Sequence, residues 1–412
     1  MKSVKGIREC YGCGVCVSAC TKKAINIRLN TEGFYVPSVD ASICNECGIC
    51  IDVCAYSHED LSLHNEVLKS YGAWSNNKNV RERCSSGGVG YELGKHLLNE
   101  GYKVSAVRYN PSLQRAEHYI ASSESEFMPS IGSKYIQSYT ADGFKAINRM
   151  EKYLVTGTPC QIDSFRRYIK KFKVEDNFVL MDFFCHSVPS MLAWKKYLQI
   201  VEKQTGTVTY ASWRNKFTGW HDSWAMAIDG DANDVTSCDR ADWRDSYNVY
   251  IREKKHSYTS RLSQGDLFYK LFLGDYCCNP ACQKNCKYKY DKSSADIRIG
   301  DFWGSTYAKN EDGVSSVIAF TEKGNEILKQ LDCTFEEHPF EVVAEGQMKI
   351  NVGKAYTSAI VYKLLNNPKS DNRSFRLVFL IEFLLKLPKR VINKFKYYYG
   401  KNSCNIINAK SS

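Results

Sequence analysis

The chain has 412 residues, 43% hydrophobic and 25% charged. This is a globular composition with core enough for two or three domains, and it excludes an intrinsically disordered chain. Its 56 basic and 45 acidic residues give a formal charge of +11. No apolar run reaches the ~18 residues of a membrane span, and Met1–Lys5 carry basic residues with no apolar stretch behind them, which argues against a signal peptide.

Eighteen cysteines are too few for a small disulfide scaffold and too many for chance. In a reducing compartment such density usually ligates metal. Cys10, Cys13, Cys16 and Cys20 form C-x2-C-x2-C-x3-C, and Cys44, Cys47, Cys50 and Cys54 repeat it. This is the bacterial two-cluster ferredoxin spacing, in which the fourth Cys of each run crosses to the other cluster. One 4Fe–4S cluster is therefore expected on Cys10, Cys13, Cys16 and Cys54, and the other on Cys44, Cys47, Cys50 and Cys20. A zinc site is the competing reading, but it usually needs two C-x2-C pairs. The Pro that commonly follows the fourth Cys is replaced by Thr21 and Ala55; it shapes a turn and is not a ligand. Gly12, Gly14 and Gly48 suit loops whose amides approach sulfur. Residues 1–60 thus read as a ferredoxin module.

Residues 61–83 read as a polar linker. Ser85-Ser86-Gly87-Gly88 then opens a helix whose face carries Val89, Leu93, Leu97 and Leu98. Such a turn can bind an anion, although Ser also caps ordinary helices. Strands are expected at Lys103–Tyr109, Lys152–Thr156 and Asn177–Phe184, and helices at 141–151, 159–171 and 189–204. This alternation argues a mixed α/β domain over 84–345, and the whole chain is assigned to the α+β class. Two strand ends carry Cys: Gly157-Thr158-Pro159-Cys160-Gln161 and Cys185-His186-Ser187-Val188-Pro189-Ser190. Ligands collect at such ends, and a thiol at a helix start ionises more easily. Cys277, Cys278, Cys282 and Cys286 follow, and then Asp296…Gly300-Asp301-Phe302-Trp303-Gly304. Cys84, Cys238, Cys333 and Cys404 lie apart from these groups.

The ferredoxin module, Ser85–Gly88, Gly132-Ser133-Lys134-Tyr135-Ile136-Gln137-Ser138, the two Cys-bearing turns and the Asp301-Phe302-Trp303 strand end together resemble the coenzyme F(420) hydrogenase/dehydrogenase beta-subunit family over about residues 1–345. The resemblance implies an FAD-dependent oxidoreductase that passes electrons between iron–sulfur clusters and a soluble carrier or organic substrate. The alternative is a non-catalytic electron-transfer subunit serving a partner enzyme. It also implies a third 4Fe–4S cluster on Cys160, Cys185, Cys282 and Cys286. The last pair is spaced C-x3-C rather than the usual C-x2-C, which leaves Cys278 as an alternative fourth ligand, and Cys160 has a competing reading as a reactive thiol. Ser85, Ser86, Gly87, Gly88, Lys134, Tyr135, Gln137, Gly157 and Thr158 are the implied flavin contacts; Lys134 as a solvated charge and Gly157 as a turn residue are the plainer readings. Asp301 and Trp303 are read as supporting the cluster loop. Relatives of this shape often accompany polysaccharide pyruvyl transferases, which implies a redox step in cell-surface polysaccharide synthesis.

Flavin accepts single electrons and delivers a hydride, so a proton donor is needed. His186 and His221 are the candidates, each with a structural alternative. Arg214-Asn215-Lys216 is either an anion-binding stretch or a solvated turn. Residues 361–412 hold eleven basic and two acidic residues, so most of the surplus charge lies in the C-terminal segment. Residues 346–412 therefore read as a basic amphipathic tail. Its apolar run Phe375–Leu387 fits a helix docked on the core or an interfacial helix on anionic lipid. The expected location is cytoplasmic, with possible peripheral contact at the inner face of the membrane. No nucleic-acid motif accompanies the charge.

Overall fold

The computed structural model describes residues 2–63, 66–216, 219–232 and 257–388. Cys238, Cys404 and the tail beyond Pro388 lie outside the described residues.

The ferredoxin module has one antiparallel hairpin, β1 (Ile25–Leu29) and β2 (Tyr35–Val39), and two short helices, Val15–Ala19 and Ile49–Asp52. Gly14 and Gly48 start those helices with φ of 74° and 84°, a left-handed backbone that side chains disfavour. The body is one nine-stranded sheet. Its strands are β3 (Lys69–Ser75), β4 (Lys103–Asn110), β5 (Arg115–Ala121), β6 (Ser138–Tyr139), β7 (Tyr153–Thr156), β8 (Phe178–Phe183), then, after a small antiparallel sheet of β9 (Val208–Ser212), β10 (Ala225–Gly230) and β11 (Tyr258–Arg261), β12 (Ile297–Asp301), β13 (Ser315–Ala319) and β14 (Cys333–Glu337). Their spatial order is β14-β3-β13-β12-β8-β7-β4-β5-β6. The central strands β12, β8, β7 and β4 run parallel. Their carboxyl ends therefore share one edge, the edge where ligands collect in open sheets.

The expected strands over 103–109, 152–156 and 177–184 are β4, β7 and β8, and the helix 159–171 is observed as Pro159–Lys171. Three expectations are corrected. Residues 61–83 are not a linker, because β3 lies inside the sheet between β13 and β14. Its buried positions are Ser70, Gly72, Ala73 and Ser75, so it lacks the alternating large apolar residues that reveal a strand. A Cβ on Gly72 would meet the Tyr307 ring at 2.7 Å. The helix expected at 141–151 stops at Lys145, where Asn148 Oδ1 soon accepts from the Met150 amide at 3.1 Å and turns the chain. The third correction, over 346–388, is one of extent: of the two readings of its apolar run, the docked helix is the one observed, and the segment joins the core of the body. Helix Ser358–Leu365 and a helix over 372–388 place Val361, Leu365, Phe375 and Val378 in one core with Trp194, Tyr197 and Phe268.

At the sheet centre, Asp182 on β8 faces Arg298 on β12 in register. Both are fully buried, and Asp182 accepts from Arg298 Nε at 2.7 Å and Nη2 at 2.8 Å. This bidentate pair ties the strand that leads to Cys185 to the strand that leads to Asp301.

Candidate functional site: a chain of cysteine sites

The crossed ferredoxin arrangement is laid out in space. Cys10, Cys13, Cys16 and Cys54 line one cavity with Val4, Ile7 and Tyr11. Burial raises the thiols of Cys10, Cys13 and Cys16, and neighbouring cysteine charges raise them further, Cys10 to about 12 and Cys13 to about 11. The Gly12 amide donates to Cys10 Sγ at 3.3 Å. Burial raises Cys50, and the charges of Cys47 and Cys44 raise it further. Cys20 packs in the apolar cluster that holds Cys50, and its sulfur accepts from the Ala24 amide at 3.3 Å. The second set is the more open: Cys47 is exposed and Cys44 half-buried.

A third cysteine set stands at the shared sheet edge. β7 is followed by Gly157-Thr158, and the helix Pro159–Lys171 then places Cys160 in its first turn. Gln161 Oε1 accepts from the Thr158 amide at 2.8 Å, which caps that helix. β8 ends just before Cys185. Cys282 lies on the short helix Pro280–Lys284, and Cys286 just past it. Burial raises Cys160, Cys185 and Cys282, and their neighbours' charges raise them again: Cys282 and Cys185 act on Cys160, Cys286 on Cys185, and Cys185 and Cys286 on Cys282. Three thiols pushed up by burial and by one another, with Cys286 beside them, are ill suited to free thiolates and well suited to a shared metal centre, which takes the protons' place. Cys278 packs beside Cys282 and has polar neighbours of its own. It accepts from Ser187 Oγ at 3.0 Å and lies 3.8 Å from Asp275 Oδ1, which is 3.0 Å from His186 Nε2.

The third set adjoins the first. The charge of Cys13 contributes to raising Cys160, and Tyr11 feels Cys160, Cys286 and Cys282. Tyr11 donates to the Asn285 carbonyl, and Asn279 Nδ2 donates to the Cys10 carbonyl at 3.1 Å. Lys289 donates to the Cys185 and His186 carbonyls at 2.8 and 2.6 Å, and its charge lowers Cys185 and Cys282 against the effect of burial. Sequence reading missed Tyr11, Ser164, Asn279 and Lys289. Only Asn279-Pro280, a cap before a helix-starting proline, carried a legible signal.

The motifs implied for flavin partly converge. Ser85 Oγ accepts from the Ser133 amide at 3.0 Å, which joins the Ser85–Gly88 turn to the 132–138 segment. Gly88, with φ of 87°, starts helix Val89–Asn99 without a side-chain cap. Lys216 Nζ donates to the Ser86 carbonyl at 2.8 Å and to those of Arg81 and Asp312. Burial lowers its pKa to about 7. Tyr135 follows Ser133 by two residues; its ring packs on Trp224 and Phe272, and Phe272 meets the His186 ring edge-on at 5.2 Å. Cys185 lies near enough to raise Tyr135.

Two of the implied contacts, Gln137 and Lys134, have their polar atoms engaged within the protein. Both polar atoms of the Gln137 side chain are engaged with the ferredoxin module, Oε1 accepting from the Tyr35 amide and Nε2 donating to the Tyr11 carbonyl, each at 3.0 Å. Lys134 Nζ is caged by the carbonyls of Pro129, Ser130, Ile131 and Gly132 at 2.7–3.4 Å. It holds its own loop, and burial lowers its pKa to about 7. Arg214, Asn215 and Lys216 are buried rather than a solvated turn. Arg214 pairs with Asp301 at 3.0 Å and stacks on Trp224 and Trp303 at 4.8 and 4.9 Å. Asp301 and Trp303 thus serve this aromatic stack rather than the cluster loop. His221 is half-exposed and 3.1 Å from Glu311.

Family comparisons agree with this layout. The 4Fe-4S dicluster domain matches residues 9–57. The coenzyme F420 hydrogenase/dehydrogenase beta subunit matches in two parts, its N-terminal part over 70–143 and its C-terminal part over 150–341. Among solved structures, a chain of the xenon-derivatized F420-reducing [NiFe] hydrogenase complex from Methanosarcina barkeri is 19% identical, covering 77% of this chain and 94% of its own, with a TM-score of 0.43. No curated protein matches. The chain belongs to the coenzyme F420 hydrogenase/dehydrogenase beta-subunit family and carries an iron–sulfur electron-transfer module at its N-terminus.

Proposed function

We propose that the protein is a cytoplasmic iron–sulfur flavoprotein that carries electrons between an external one-electron partner and an organic substrate or soluble carrier. The observation that supports it most is the hydrogen bond from the Ser133 amide to Ser85 Oγ, which joins an uncapped helix start to the segment whose Tyr135 ring packs on Phe272, itself edge-on to the His186 ring next to Cys185. The two ferredoxin sets hold 4Fe–4S clusters, and Cys160, Cys185, Cys282 and Cys286 hold a third. The more exposed set, with Cys47 at the surface, meets the partner; the Cys10 set adjoins the third set across Tyr11.

The residues fit an FAD. The uncapped helix start after the Ser85–Gly88 turn offers first-turn amides to a pyrophosphate, and Lys216 Nζ, engaged by the Arg81, Ser86 and Asp312 carbonyls, braces that turn. Thr158 Oγ1 lies 3.2 Å from Cys160 Sγ, with Gly157 just before it, and the Tyr135 ring packs on Phe272. FAD, when bound, accepts electrons singly and delivers a hydride. His186, held by Asp275 beside Phe272, is placed to hold and release the accompanying proton, since an imidazole can both donate and accept one. His221, paired with Glu311 at the surface, is the second candidate. The substrate class follows from the family resemblance, a redox intermediate of cell-surface polysaccharide synthesis, and flanking genes test that assignment.

The decisive experiment is anaerobic reconstitution followed by iron, sulfide and flavin assays and EPR. About twelve irons per chain, three cluster signals and extractable FAD are expected for three 4Fe–4S centres. Zinc in place of iron, or freshly purified protein without flavin, overturns the reading. Turnover of a small molecule by the isolated chain separates an enzyme from a relay subunit serving a partner.

A further inference from the structure

The helix over 372–388 is apolar on two opposite faces. Phe375, Val378 and Glu382 point inward. Glu382 accepts from the Tyr356 and Thr357 amides and pairs with Lys386 at 2.9 Å, which fixes the helix on the core. Leu377, Leu380 and Leu384, spaced three and four residues apart, share the opposite face. They are 61%, 54% and 53% exposed, and Phe383 and Leu385 flank them. Eight of the thirteen large apolar side chains exposed among the described residues fall between 350 and 385. Scattered exposed leucines are ordinary, but a contiguous group of this kind marks an interaction surface.

The charge around this face indicates its occupant. Lys363, Lys369, Arg373 and Arg376 are exposed there, and Asp371 is the one exposed acid between 361 and 388. Residues 389–412 add six basic residues and no acid to the sequence. We propose that this face seats the protein on an anionic lipid surface, its leucines in the headgroup–acyl boundary and its Arg and Lys on lipid phosphates. An apolar face rimmed by cations matches that boundary, whereas a second copy of the chain would bring the same positive charge to itself.

The test is sedimentation of the full reconstituted chain with vesicles of phosphatidylcholine alone or with one-third phosphatidylglycerol. Binding to the anionic vesicles that weakens with salt is expected. The variant Leu377→Ser/Leu380→Ser/Leu384→Ser should bind about tenfold less or weaker still with its iron content unchanged. Arg373→Gln/Arg376→Gln should keep the apolar face and lose most of the preference for anionic over neutral vesicles. No wild-type binding, or binding unchanged in the leucine variant, overturns the proposal. So does a dimer in light scattering that the leucine substitutions dissolve while vesicles stay unbound. If the leucine variant loses iron, the arginine variant decides: an unchanged lipid preference overturns the proposal.

Discussion

The Cys13 thiol donates to the Ser164 hydroxyl at 3.2 Å. The same hydroxyl accepts from the Ala55 amide at 3.0 Å. Ser164 lies one helical turn beyond Cys160, so one side chain of the body touches both cysteine segments of the first ferredoxin site and shares a helix with the third set. The separation between those two sets is therefore fixed by a helix rather than by loops.

Ser164→Ala removes the acceptor of the Ala55 amide, leaving that buried amide unpaired, and the hydroxyl that donates to the Cys13 sulfur once cluster binding has displaced the thiol proton. A loss of about 1–3 kcal/mol is expected for an unsatisfied buried donor. It should be visible as a lower urea midpoint, together with a changed potential for the Cys10/Cys13/Cys16/Cys54 cluster in an EPR-monitored redox titration. An unchanged midpoint would show that the contact carries no stability.

Cys286→Ser and Cys278→Ser should behave differently. Cys286 acts on Cys185 and Cys282, whereas Cys278 is bonded to Ser187. Iron should fall from about twelve to about eight per chain in the first variant and stay near twelve in the second, since a 4Fe–4S centre needs its four ligands. Equal iron in both variants would remove Cys286 from the ligand set.

Asp182→Asn leaves Arg298 as a buried charge without its partner. Removing one member of a buried pair costs about 3–5 kcal/mol. The double variant Asp182→Leu/Arg298→Met should recover part of the loss, because the charge and its partner then leave together. Chemical denaturation of the three proteins checks this order.

His118 is buried with Nε2 3.0 Å from the Thr156 carbonyl, and burial lowers its pKa from 6.5 to about 4. The unfolded chain takes up this proton near pH 6.5 and the folded chain only near 4. The stability linked to His118 is whole above about 6.5 and lost as pH falls toward 4, an effect on the order of 3 kcal/mol. His118→Gln should flatten the denaturation midpoint between pH 7 and 5; an equal slope in the variant would assign the dependence to other groups.

The cysteine spacings, the strands β4, β7 and β8 and the turn chemistry at Gly157–Gln161 were legible in the sequence, because each is a local pattern: ligand spacing, a β-rich run, or a proline near a helix start. β3 was not legible, since its buried side chains are serine, glycine and alanine and yield no hydrophobic period. Lys134 and Gln137 looked like ligand contacts, because a polar residue in a conspicuous motif does not disclose which buried partner it meets.

Sequence alone determined that two ferredoxin sites are expected, since each C-x2-C-x2-C-x3-C run supplies three ligands to one cluster and the fourth to the other. Only the tertiary structure decided what lies beside them. Parallel β7 and β8 bring Cys160 and Cys185 to one edge, Tyr11 and Asn279 join that edge to the first ferredoxin site, and Lys134 turns inward to its own loop. These are contacts between residues tens to hundreds of positions apart, and burial and hydrogen-bond satisfaction select them rather than local spacing.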